Sequence, residues 1–386
     1  MQTSTQIAVV GAGLGGVCAA HLLHQAGYKV KLYEQAEALA PLGAGIHLGP
    51  NLMKVIRQIG LEREVVDMGS VPDAWYSRDG KSAEIIATIP LGEYAFERYG
   101  ANYLTVHRGN FHELLVDSLP ANVLALGKKL THIEDLGEVV QLTFADGTRE
   151  TADLVVGADG VYSRIRETLL GPEPLIATGY VGHRMMIPVS RLKLFTHDAC
   201  TKWWADDRHM MVYFLDGQRD AIYLVTGVPE GDAWDMSKPW VPSSREELRE
   251  AFEGWHPYAL EMIEGAESVT KWPFFERGVQ PLWSRGRIVI LGDACHPMKP
   301  HMAQGAAMAI EDAAVLSRCL QETGAGNYRK AYEMFQVNRQ DRVRRVQTVS
   351  HNNTWLRNNE DPEWCFGYDA VTVPLRQPHE PANASF

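Results

Sequence analysis

Apolar residues are arranged in two textures along this chain. Short apolar runs at 7–10, 154–156 and 288–291 predict buried strands, and Lys29-Val30-Lys31-Leu32-Tyr33 and Arg287 extend the pattern to strands over 29–33 and 287–291. Three of them end at a glycine: Gly11, Gly157 and Gly292. Helical periodicity follows the first run over about 14–26 and stops at Gly27; it returns over 304–321 and again over 327–350. Residues 74–90 and 180–275 read differently. Their apolar runs are short, alternating and rich in tryptophan and tyrosine, with turn chemistry at Arg78-Asp79-Gly80 and Leu215-Asp216-Gly217. That texture predicts a mostly antiparallel sheet. Within it, a strand over 208–214 would put His209, Met211 and Tyr213 on one face and Met210, Val212 and Phe214 on the other. The polar, proline-containing stretch 374–386 is expected to be loosely ordered.

With 386 residues, 45% of them hydrophobic, the chain can bury a large core and build two domains. The net charge of -11 argues against nucleic acid as a partner, and it means that an anionic ligand needs local positive groups. Five cysteines without paired spacing suggest reduced thiols and a cytoplasmic location. No apolar run is long enough to span a bilayer. Residues 7–23 imitate a signal peptide but lack a basic leader, and their glycines suit a strand–turn–helix. No repeat or low-complexity tract interrupts the pattern.

The glycines supply the chemistry. Gly11, Gly13 and Gly16 follow the first strand at dinucleotide spacing, for the tight turn, the close approach of a pyrophosphate and helix–strand packing respectively. The next helix aims its free amides at the phosphates, and Glu34, ending the second strand, can accept from ribose hydroxyls. A nicotinamide-dependent dehydrogenase shares this motif but gives no reason for two others. These are Gly157-Ala158-Asp159-Gly160, with Asp159 able to face a ribose or pyrophosphate, and Gly292-Asp293, leading to Gln304-Gly305. Asp293 is placed for ribityl or ribose hydroxyls, and the amides near Gly305 for a flavin pyrimidine edge. One extended cofactor held from three distant parts of a chain is FAD. The expected fold is therefore α/β: an FAD-binding, Rossmann-like domain of glutathione-reductase type, interleaved with an antiparallel substrate domain and followed by C-terminal helices. Residues 1–73, 100–179 and 273–350 would form the first, 74–99 and 180–272 the second, and 351–386 a C-terminal segment.

This set of motifs resembles the class A flavoprotein aromatic hydroxylases over essentially the whole chain, with His107-Arg108 through Leu115 as a further match. The resemblance implies noncovalent FAD, NADH as a transient co-substrate, O2, and a small aromatic hydroxy acid as substrate. It implies a cofactor set of Gly11, Gly13, Gly15, Gly16, Glu34, Gln35, His47, Arg108, Asp159, Asp293, Pro300, Gly305 and Ala306. The substrate set is His47, His209, Met211, Tyr213, Val225 and His301, with His47, His209 and Tyr213 as the catalytic group. The wording of 43–47, 202–204, 207–213, 225–227, 270–273 and 296–305 favours decarboxylative hydroxylation of a ring-hydroxylated pyridine carboxylate, with salicylate the alternative within the family. A flavin reductase or epoxidase of lipids would need a longer apolar pocket or a membrane segment. A non-catalytic flavin sensor is the bland alternative.

Histidine chemistry fits such a site. His47 sits in a glycine-dense loop that can press on a flat cofactor, with a pKa near neutrality. His209 and Tyr213 are roughly 13 Å apart along an extended strand, enough to bracket opposite ends of one ring with Met211 between. His296 and His301 have no metal-site spacing, so no metal is expected, and His301 with Lys299 can attract an anion. Arg339, Arg342, Arg344 and Arg345 are expected on a solvated or partner-facing helix surface. The chain is expected to work as a monomer or homodimer.

Overall fold

The computed structural model describes residues 5–39, 44–194, 200–205, 207–231, 234–278 and 280–378. A six-stranded sheet has the spatial order Ser284–Arg285, Ile288–Ile290, Leu154–Gly157, Gln6–Val10, Lys29–Tyr33, Leu124–Ala125. All its pairings are parallel except the outermost, Ser284–Arg285 with Ile288–Ile290. Val9 lies between Val156 and Leu32, and these side chains are fully buried, as expected of strands covered on both faces. The register brings Gly11, Gly157 and Gly292 to one edge, at the carboxyl ends of the strands, where open α/β sheets bind ligands. Gly11 has φ +100°, and a Cβ on Gly16 would lie 1.9 Å from the Gly11 carbonyl oxygen. Neither position can hold another residue without moving the turn. The helix Leu14–Gln25 then packs on the helix Gly305–Thr323.

The second sheet has eight strands, in the order Val241–Ser243, Val269–Glu276, Ile176–Pro188, Ala221–Pro229, Arg208–Phe214, Cys200–Ala205, Ala74–Asp79, Ile85–Pro90. The pairing of Cys200–Ala205 with Ala74–Asp79 is parallel and the rest are antiparallel. Its two faces serve different cores. Met211, Tyr213, Cys200 and Tyr223 join the core of the first sheet. Met210, Val212, Phe214 and Leu224 pack with Leu248, Met262 and Ile263 of the two covering helices, Arg245–Ala251 and Pro257–Gly265, and with Phe252, which caps the first. The alternation over 208–214 is thus a division between two packed layers, not between core and solvent.

Three expectations change. The helix Tyr328–Asn352 does not show Arg339 and Arg342 to solvent. Arg339 is fully buried and pairs with Glu311 at 2.6 Å and Asp312 at 2.7 Å; Arg342 pairs with the same Glu311 at 2.7 Å. Arg344 is exposed beside Asp341, and Arg345 stacks over Trp364. Residues 374–378 are tied down: Arg376 N donates to Asn338 Oδ1 at 2.8 Å, and Asn338 Nδ2 donates to the Arg376 carbonyl at 2.9 Å. The rest of that stretch, 379–386, lies outside the described residues. The third change is at His47, which is on a strand, Gly45–Leu48, paired antiparallel with Leu104–His107. The residues just before it, 40–43, lie outside the described ones. All five cysteines are buried and free. Among the described residues, no helix is long and apolar enough to cross a membrane.

Candidate active site

Two cavities meet at the glycine turn. One, of about 730 Å³, is lined by Gly11, Gly13, Glu34, Gln35 and Gly160 among others. The other, of about 500 Å³, runs from Gly13 and Gly15 under the second sheet. Both include Gly13, Ala158 and Gly160, so together they form one elongated channel. A Cβ on Gly13 would meet no atom within 4 Å, so any side chain there would project into the open channel. The helix Leu14–Gln25 has no side-chain cap, which leaves its first amides free for an anion beside that opening. The helix Gly305–Thr323 is likewise uncapped, and Gly305 and Ala306 stand on the wall of the second cavity with Pro300. Glu34 is held at the end of its strand by the amides of Ala12 at 2.8 Å and Ala36 at 2.9 Å.

Asp293 and Arg108 line the same cavity as Gly305. Asp293 is exposed to the cavity and walled by protein on its other sides. Burial raises its carboxyl pKa, against His296 and Arg108. Free amides, two carboxylates at the ends of parallel strands and an open glycine cradle suit a dinucleotide with a flat ring at one end. The residues present fit FAD. Asp159 lines the channel beside Gly160. Its carboxylate accepts from Ser163 Oγ and from the amides of Arg164 at 2.8 Å and Ile165 at 3.1 Å. It thereby supports the start of the helix Arg164–Leu170, whose cap is Ser163. Gly16 is a packing residue and lines neither cavity.

The floor of the second cavity is built from rows of directly opposed residues on the eight-stranded sheet. One row is Trp204, His209 and Gly227. The next is Lys202, Met211, Val225 and Arg184. The third is Cys200, Tyr213 and Tyr223. Glycines make the rings fit. A Cβ on Gly227 would lie 2.1 Å from His209 Cε1, and one on Gly45 would lie 2.5 Å from the Tyr213 ring. With Gly45 bare, Tyr213 comes to 4.1 Å from the His47 ring, centroid to centroid.

His47, His209, Met211, Tyr213, Val225 and His301 therefore share one cavity. His47 groups with Tyr213 and Tyr103, whose hydroxyl is 2.8 Å from His47 Nδ1. His209 groups with His301, ring to ring at 5.1 Å, and with Asn353 Nδ2, 3.3 Å from His209 Nδ1. His301 Nδ1 donates to the Ser350 carbonyl at 2.8 Å. Burial sets the protonation. It holds the pKa of His47 down to about 3, with Lys202 adding to the effect. His301 is held down to about 3 by burial and then by Lys202. His209 is held well below its ordinary value by burial, Lys202 and His301. Burial pushes the hydroxyls of Tyr103 and Tyr213 well up. At neutral pH the cavity presents neutral imidazoles and protonated phenols.

A family model described as an FAD binding domain matches residues 4–350. The chain belongs to this FAD-binding family. It is 58% identical over 386 residues, all of both chains, to the 6-hydroxynicotinate 3-monooxygenase of Pseudomonas fluorescens. It is also 58% identical over 376 residues to the protein of that name from Bordetella bronchiseptica, covering 97% of this chain and 98% of the relative. A solved salicylate hydroxylase substrate complex has TM-score 0.83 at 24% identity, covering 96% of this chain and 97% of that one, a likeness of fold. The FAD-binding chain is a class A flavoprotein aromatic hydroxylase, a monooxygenase with FAD as its cofactor.

Within this FAD-binding monooxygenase, sequence reading did not single out Tyr103, Arg184, Tyr223 or Asn353, and it met Lys202 only as part of a longer match. All but Tyr103 and Asn353 line the cavity themselves. Strand alternation from Trp204 would have put Lys202 on the cavity face, but a lysine in an alternating strand ordinarily marks the wet side. Tyr103 and Asn353 reach the site only through tertiary contacts.

Proposed function

We propose that this monooxygenase uses NADH and O2 to convert 6-hydroxynicotinate to 2,5-dihydroxypyridine. The ring carboxylate leaves as CO2 and a hydroxyl takes its place. The balance is one 6-hydroxynicotinate anion, one NADH, one O2 and two protons giving 2,5-dihydroxypyridine, CO2, NAD+ and water. The reading is carried by 58% identity over the full length of both chains to a protein named for acting on that compound. When bound, FAD supplies two-electron transfer from NADH and activation of O2.

The sheet formed by residues 74–90 and 176–276 acts as the substrate domain, and its floor positions the ring. His47 takes the proton of the ring hydroxyl, which pushes electron density toward the carbon that bears the carboxylate. Burial keeps it neutral near pH 7 with a ring nitrogen open to accept, and a pKa held down to about 3 makes it a weaker base than the near-neutral histidine expected from the sequence. Tyr103 steadies the far side of the imidazole. Tyr213 and His209 orient the two polar ends of the substrate, while Met211 and Val225 give the ring an apolar bed. His301 backs His209. Arg108, Asp293, Gly305 and Ala306 hold the flavin end of the cofactor, and Gly11, Gly13, Gly15, Glu34 and Gln35 its other half. Burial of the floor excludes the water that would divert activated oxygen to hydrogen peroxide.

The test is NADH oxidation by the FAD-loaded protein with and without 6-hydroxynicotinate, with product measured. Stimulation with product equal to NADH consumed is expected. Stimulation without product would make the compound an uncoupling mimic and turn the assignment to salicylate and its relatives. No stimulation would remove the substrate assignment.

A further inference from the structure

Lys202 is a buried cation of the cavity floor that the proposed function leaves without a role. It lies in the strand Cys200–Ala205 and is 2% exposed. Its Nζ donates to Asn353 Oδ1 at 2.8 Å and to the His301 carbonyl at 3.2 Å, and it sits 4.0 Å over the Trp204 ring. These partners are neutral. Among the described residues, no carboxylate forms an ion pair with Lys202. The charged or titratable groups that bear on it are His47, His209, His301 and Arg357, none of them an anion. Burial, with Arg357 adding, holds its pKa well below the ordinary value. A buried ammonium with no counter-charge is costly, and an arriving anion would remove the cost.

The cavity has two unlike ends. Around the neutral imidazole of His47 stand the phenols of Tyr103 and Tyr213, with Tyr223 packed against Tyr213. Around His209 stand Lys202, His301 and Asn353. Asn353 holds the second group in order. It caps the helix Tyr328–Asn352 in the left-handed conformation, at φ 51°, which asparagine tolerates. Its oxygen accepts from Lys202, so its amide is left to donate to His209 Nδ1. His209 then carries its hydrogen on Nε2 and can only donate there. A lysine ammonium and an imidazole N–H are two donors suited to a group that only accepts. Arg184, at the other end of the Lys202 row and roughly 14 Å away across three strand spacings, is half-buried and stacked 4.4 Å over Trp272. Solvent and the indole face already compensate its charge.

We propose that Lys202 is the receptor for the carboxylate of the substrate, making it a specificity-determining residue that selects aromatic carboxylates over their neutral analogues. This rests on the decarboxylative reading, although it needs only a carboxylate and not a pyridine. Lys202 acts in capture. The positive charge that holds a carboxylate also opposes its departure as neutral CO2, so loss of the lysine falls on KM far more than on kcat.

Dissociation constants are read from the change in the FAD absorption spectrum of the FAD-loaded enzyme, for 6-hydroxynicotinate and for 6-hydroxynicotinamide. The wild type is expected to prefer the carboxylate by at least about 30-fold. Lys202→Gln keeps a donor for Asn353 and His301 but not the charge; it should retain FAD and bind the two ligands within about threefold of each other. A wild type that binds both alike, or a flavinated K202Q that keeps the preference, overturns the proposal. So does loss of the preference in Arg184→Gln with K202Q unaffected, which would move the carboxylate to the opposite end. If the wild type ignores both pyridines but binds salicylate, the pyridine reading fails, and salicylate against salicylamide decides Lys202 by the same ratios. Binding of none of these carboxylates overturns both.

Discussion

The Nδ1 of His47 lies 2.8 Å from the hydroxyl oxygen of Tyr103, deep beneath the eight-stranded sheet. With Nδ1–H donating to that oxygen, Nε2 is bare and can take a proton; after the transfer the same oxygen still accepts from the imidazolium. Tyr103 is held protonated by burial, so it acts as a neutral prop and not as a second base. His47→Gln should therefore lower hydroxylation turnover by about 100-fold or more while the protein keeps its FAD. Tyr103→Phe should cost about tenfold. Steady-state kinetics on fully flavinated variants check both. Near-normal turnover in H47Q would remove His47 from the chemistry.

Asp293 faces the cavity from the turn after Ile288–Ile290, beside Arg108. A carboxylate in that position gives FAD hydroxyls an acceptor that water would otherwise supply. Asp293→Ala should weaken FAD affinity by about tenfold or more, read as loss of flavin on gel filtration and by titration of the apoprotein. A variant that purifies yellow with unchanged affinity would contradict the assignment of this loop.

The buried cluster behind that loop makes a separate prediction. Arg339 neutralises Glu311 and Asp312; Asp312 in turn accepts from the Gly292 amide at 3.0 Å and is 2.6 Å from His296 Nε2. Arg339→Leu would leave buried carboxylates short of positive charge and should cost about 3–5 kcal/mol. Urea unfolding of the FAD-loaded protein measures this. A loss under about 1 kcal/mol would show that the remaining Arg342 suffices.

Much of this arrangement was legible in the chain, and the failures share a cause. Gly11 was readable because its positive φ and the contact of Gly16 with its carbonyl exclude other residues. The face shared by His209, Met211 and Tyr213 was readable because strand alternation is rigid. Arg339 was misread because its charge suggested solvent. Its partners, 27 and 28 residues away on another helix, are neighbours only after folding. At Asp159 the sequence showed the turn but not that its carboxylate also supports the start of the next helix. Ser163 and the amides of Arg164 and Ile165 meet that carboxylate only once the turn has formed. Lys202 was passed over for the reason that hid Arg339.

The depressed histidines fix a direction for pH. In the unfolded chain His47, His209 and His301 take up protons as pH falls through about 6.5, whereas the folded forms of His47 and His301 resist to about 3. Between those values the unfolded state binds more protons. The stability these residues contribute is therefore full above about pH 6.5 and is lost as pH falls toward 3. The Tm of the FAD-loaded protein should drop steadily from pH 7 to pH 5, with a shallower slope in H47Q. A flat profile over that range would contradict the burial of these rings.

The most direct test of decarboxylative hydroxylation uses 6-hydroxynicotinate carrying 13C in its carboxyl group, with NADH and 18O2. One labelled CO2 and one 18O-containing 2,5-dihydroxypyridine are expected for each NADH consumed. Consumption of NADH with hydrogen peroxide formed and the label still on the ring would contradict the assigned reaction.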